Sequence, residues 1–85
     1  MYLHLGQTTV VATASIVGVF DLDNSTVSKH TRAFLTKAQK EGRVVNVSME
    51  LPKSFVVCKE RGDLTVYLSQ IAPSTLLRRA SSNLL

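Results

Sequence analysis

The sequence predicts an α+β fold: a small, β-rich domain of about five or six strands, a central amphipathic helix and a short C-terminal helix. Three observations carry this. Apolar and polar residues alternate with a period of two over residues 2–5, 43–50 and 64–69. Between the first two of these stretches, residues 25–41 carry apolar side chains at helical spacing. Turn chemistry separates the segments, at Gly6-Gln7, Gly42, Leu51-Pro52-Lys53, Arg61-Gly62-Asp63 and Pro73. The 85 residues fit one domain over 1–85, with residues 81–85 expected as a loose tail.

The elements follow in order. Residues 2–5 read as a strand that ends at Gly6-Gln7, and residues 8–13, rich in threonine and valine, as its successor. Ile16-Val17-Gly18-Val19-Phe20 is almost continuously apolar. It reads as a strand buried on both faces, or one held against a partner, with Gly18 marking a bulge or a close backbone approach. Asn24 or Ser25 is the expected cap of the central helix, and Gly42 its stop. On that helix Val27, Thr31, Phe34, Leu35 and Ala38 share one face. Lys29, Arg32, Lys37 and Lys40 lie away from it, with His30 at the boundary.

Over residues 43–50, Val45, Val47 and Met49 face one way and Asn46, Ser48 and Glu50 the other. Pro52 interrupts the ladder. Phe55-Val56-Val57-Cys58 forms the next strand, and the Arg61-Gly62 turn returns the chain through Leu64, Val66 and Leu68. Arg61-Gly62-Asp63 is also the tripeptide that adhesion receptors read, but its place in a tight turn explains it more simply. After Pro73, Ser74 is the expected cap of the last helix. Leu76, Leu77 and Ala80 form its buried stripe, and Arg78 and Arg79 point outward.

Several chemistries lack their residues. The four glycines lie far apart, so no glycine-rich phosphate loop exists. No Cys/His cluster could hold a metal, and no nucleophile elbow surrounds any serine. Asp21, Asp23 and Ser25 open like a calcium loop. However, Thr26 stands at its glycine position and Arg32 at its bidentate glutamate. The chain therefore reads as a binding module and not an enzyme, with no cofactor. Cys58, the single cysteine, sits in an apolar strand and reads as a core residue of a cytoplasmic protein. No stretch reaches the length of a membrane span.

The net charge of +4 is unevenly placed. Two acids precede Asn24, five basic residues against Glu41 follow up to Arg43, and Arg78-Arg79 forms a second basic site. Such patches suit a phosphate-rich partner or an ordinary solvated surface, and both readings stand at this point.

One resemblance spans nearly the whole chain. It rests on Met1-Tyr2-Leu3-His4-Leu5-Gly6, Val10-Val11, Ile16-Val17-Gly18-Val19-Phe20-Asp21, Pro52-Lys53-Ser54-Phe55-Val56-Val57 and Ser74-Thr75-Leu76-Leu77-Arg78-Arg79-Ala80. In these segments the chain resembles the RemA/RemB family of small bacterial extracellular-matrix regulators, and more closely its RemB branch. The resemblance implies a LytTR-like frame, a ring of identical subunits and transcriptional regulation of matrix (biofilm) genes through DNA. RemA-type members carry arginines in the loop where this chain has Leu51-Pro52-Lys53, so that loop offers only Lys53. The expected DNA contacts are therefore Lys53, Arg78 and Arg79, with Lys29, Arg32, Lys37 and Lys40 of the central helix. The alternative is an oligomeric scaffold that binds another protein, such as a RemA-type ring, with little direct DNA contact.

Overall fold

A computed structural model describes residues 1–22 and 28–83. The fold is mixed α+β and mostly β, with two sheets and two helices, as the patterning predicts. Strands β1 (Tyr2–Gly6) and β2 (Thr9–Ala12) form an antiparallel hairpin. A short 3-10 turn (Thr13–Ser15) leads to β3 (Ile16–Asp21). Helix α1 (Lys29–Lys40) and β4 (Val44–Asn46) follow. Strands β5 (Ser54–Glu60) and β6 (Asp63–Ser69) lead into α2 (Pro73–Asn83). The second sheet has the order β3-β5-β6-β4, antiparallel except for the β4–β6 pair.

This sheet is the middle of three layers. Alternate residues of β5 serve opposite faces. Val56 and Cys58 pack with Leu3, Leu5 and Val11 of the hairpin and Leu76 of α2. Phe55 and Val57 pack with Phe34, Leu35 and Ala38 of α1. Burying one leucine of this kind stabilises by roughly 1.5–3 kcal/mol. Two hydroxyls tie the layers together. Ser69 Oγ, fully buried, donates to the Leu5 carbonyl at 2.7 Å and accepts from the Ile71 amide at 3.0 Å. Ser54 Oγ donates to the Ile71 carbonyl at 2.8 Å.

Local chemistry explains the turns. Arg61 (φ 52°) and Gly62 (φ 87°) are both left-handed, which is the two-residue type I′ geometry suited to the twist of a hairpin. Gly42 (φ 72°) closes α1. Pro73 begins α2 at the position where a missing N–H costs nothing, and the Ala72 carbonyl accepts from Thr75 and Leu76.

The structure corrects several expectations. Ser28 caps α1, accepting from the Thr31 amide, and the helix starts at Lys29; Asn24, Ser25 and Val27 lie outside the described residues. Ser74 sits inside α2 instead of capping it. Leu76 is buried and Ala80 half-buried, but Leu77 is half-exposed, because a helix this close to the sheet buries a narrow stripe. The helix continues through Asn83, into the stretch expected to be loose. The strand buried on both faces is β5; β3 is an edge. Finally, β4 stops at Asn46, and Met49 points fully into solvent. Ser48 Oγ accepts from the Glu50 amide, a local turn that competes with the ladder.

Beside α1, the outer edge of the sheet leaves an apolar groove of about 350 Å³ between β3 and the helix. Its walls include Val17, Phe20, Phe34, Phe55, Val57 and Leu64.

Candidate nucleic-acid interface

The expected DNA contacts divide between two layers. Lys29, Arg32, Lys37 and Lys40 are exposed on α1, on one side of the central sheet. Arg78 and Arg79 are exposed on α2, which packs against the opposite side. Lys53 is exposed immediately before β5. Its backbone is fixed from both sides: its amide donates to the Ser69 carbonyl at 2.8 Å, and its carbonyl accepts from the Leu22 amide at 2.9 Å. Ser54 Oγ reaches the Ile71 carbonyl, two residues before α2, so Lys53 and the start of α2 lie at the same end of the sheet. The seven side chains therefore do not form one patch on a protomer. They form an α1 surface and a Lys53/α2 surface.

The helix dipole separates the α1 cations further. Lys37 and Lys40 fall in the last turn, where cations complement the negative end. Helix stability alone accounts for them. Lys29 and Arg32 stand near the positive end, and the first turn carries no acid. Local electrostatics disfavours them there, so an anionic partner gives them a role that the isolated helix does not.

Other cations have different work. Arg43 donates to the Glu41 carboxylate and, through Nη1, to the Leu64 carbonyl at 2.6 Å, which pins the end of α1 to β6. Arg61 and Lys59 are exposed at the β5–β6 tip. Sequence patterning treats both as turn and strand residues; their shared position becomes visible only once the hairpin is paired.

The titratable interior is quiet. Burial pushes the Cys58 thiol above its usual range, opposed by a hydrogen bond from Ser15. Cys58 is fully buried, in keeping with a core residue. Burial, the hydrogen bond that Tyr67 donates to Glu60 at 3.0 Å, and the charge of Glu60 push the Tyr67 phenol up to about 12. His4 Nε2 donates to the Gln7 carbonyl at 2.7 Å across the first hairpin. Among the described residues, no cluster of three His, Cys, Asp or Glu side chains could hold a metal ion. No helix among them is long and apolar enough to cross a membrane.

A family profile described as RemA-like, extracellular matrix regulatory protein A-like, matches residues 2–80. The chain belongs to the RemA-like family. Among curated proteins, extracellular matrix regulatory protein B of Bacillus subtilis (strain 168) is 41% identical over 80 residues, covering 94% of this chain and 90% of the relative. The match reaches across both surfaces of this RemA-like chain, from β1 to Ala80 in α2.

Proposed function

We propose that the protein is a cytoplasmic regulator of extracellular-matrix genes that acts as a homo-oligomer on promoter DNA. The observation that carries this is the RemA-like match, together with the similarity to a relative named as an extracellular matrix regulatory protein. Lys53, Arg78 and Arg79 on one surface, and Lys29 and Arg32 on the other, supply the phosphate contacts. Lys37 and Lys40 add charge to the α1 side. Cations of this kind position a duplex without reading its sequence. A homo-oligomer multiplies them, so a weak set of contacts per subunit becomes strong binding. Exposed apolar side chains offer the material for association: Tyr2 and Val10 on the hairpin, and Val45, Met49 and Leu51 around β4 and the loop that follows it. Two different patches suit a head-to-tail, ring-forming contact.

The test is promoter-duplex binding across a salt series. The logarithm of affinity should fall linearly with the logarithm of salt, by about 0.9 for each phosphate neutralised. Lys53→Glu, Arg78→Glu and Arg79→Glu together should abolish retention. No binding by the intact oligomer at low salt refutes the DNA role.

One observation favours a second reading, an oligomeric scaffold for another protein such as a RemA-type partner. Met49 is fully exposed and Leu51 is 84% exposed, both in the segment that leads into Lys53. Bulky apolar side chains held in water suit a protein contact better than a phosphate backbone. Under this reading the charge reversals leave partner binding intact, whereas Met49→Ser with Leu51→Ser removes it.

A further inference from the structure

We propose that the groove between β3 and α1 receives an extended, acidic peptide segment of a partner protein, added as a strand to the β3 edge with an apolar side chain in the groove. This goes beyond the DNA role and does not depend on it. The sheet order leaves the outer side of β3 without a neighbouring strand. Edge strands that avoid pairing carry lysine or proline, or are bulged or covered. Here the bulge lies between Ile16 and Gly18, and the sequence up to Phe20 has neither lysine nor proline. The bulge therefore leaves the next residues regular. It also turns Val17, 62% exposed, toward the groove mouth.

The groove is a built feature. Phe20 stacks on Phe55 with ring centroids 4.8 Å apart, and its ring lies across the backbone of Gly18. A Cβ at Gly18 would meet that ring at 2.7 Å, so glycine is what lets Phe20 form the groove wall. The volume of about 350 Å³ is more than twice the roughly 150 Å³ that holds a benzene ring in a protein interior.

Charge selects the occupant. His30 lines the groove, and helical spacing puts Lys37 on the same flank as His30 and Phe34. Lys59 follows Phe55 and Val57 on the same face of β5 and pairs with Leu64 of the wall. The described carboxylates nearby are turned elsewhere. Glu41 is paired with Arg43, and Glu60 accepts from Tyr67. An apolar slot flanked by cations, beside an open strand edge, fits an extended peptide with apolar and acidic residues alternating.

The test uses the full chain and a fluorescein-labelled heptapeptide of alternating glutamate and leucine, followed by fluorescence anisotropy and by amide exchange along β3. The expected result is saturable binding with slowed exchange at the β3 edge. The same peptide with lysine for glutamate should not bind. Val17→Lys, at an exposed position that leaves the core intact, should weaken binding about tenfold or more. Gly18→Ala should do the same by displacing the Phe20 ring. The proposal is overturned if the glutamate peptide does not bind, or if Val17→Lys leaves its affinity unchanged. It is equally overturned if decanoate but not the peptide occupies the groove, or if Val17→Lys splits the oligomer, which would make a second copy the occupant.

Discussion

Replacing Ser69 by alanine tests how the hairpin layer is held to the central sheet. Ser69 is fully buried; its hydroxyl donates to Leu5 in β1 and accepts from Ile71 just before α2. Alanine fits the space but leaves a buried carbonyl and an amide unpaired. Leaving such a group unsatisfied costs about 1–3 kcal/mol, so a loss of about 2 kcal/mol is expected. For a chain this small, each kcal/mol lowers Tm by about 4–8 °C, which makes the expected fall about 8–16 °C. Urea and thermal unfolding followed by circular dichroism measure it, at one fixed protein concentration because association adds to apparent stability. Amide exchange should accelerate most in β1 and at the start of α2. A loss below about 0.5 kcal/mol, the scale of an ordinary surface change, would refute the view that this hydroxyl joins the layers.

The Tyr67 phenol sets an alkaline limit. Its pKa rises from about 10 unfolded to about 12 folded. The neutral form is therefore favoured by folding. That contribution is complete below about pH 10, where both states are protonated, and is lost as pH rises toward 12. Stability measured from pH 9 to 12 should fall, and Tyr67→Phe should flatten the part of that fall due to the phenol. Gly62→Ala tests backbone conformation alone. A Cβ there meets nothing within 4 Å, but φ is 87°, so a loss of about 1–2 kcal/mol in urea unfolding is expected from the dihedral.

The elements were legible where the pattern is local. The amphipathic stripe of α1, the type I′ turn at Arg61-Gly62 and the alternation of β6 follow from neighbours a few residues apart. What was hidden depends on which strands become neighbours. The apolar runs of β3 and β5 look alike in sequence, yet β5 lies in the interior of the sheet and β3 at its edge. Periodicity says which face a side chain takes, and nothing about who sits beside the strand. The same limit applies to the site. The exposure of the α1 and α2 cations follows from helical spacing, but their division between opposite sides of the sheet follows from the layering. The groove was missed for that reason too, since Val17, Phe34 and Leu64 are far apart in the chain. Met49 was placed inward by continuing the β4 alternation past Asn46, where Ser48 had already turned the chain.

The most direct test of the proposed function is the mass of the protein in solution, by light scattering, with and without a matrix-gene promoter duplex. The expected result is a multiple of the 9.3 kDa chain alone, and a larger salt-sensitive complex when the duplex is added. A folded monomer at micromolar concentration whose mass the duplex leaves unchanged at low salt would contradict it.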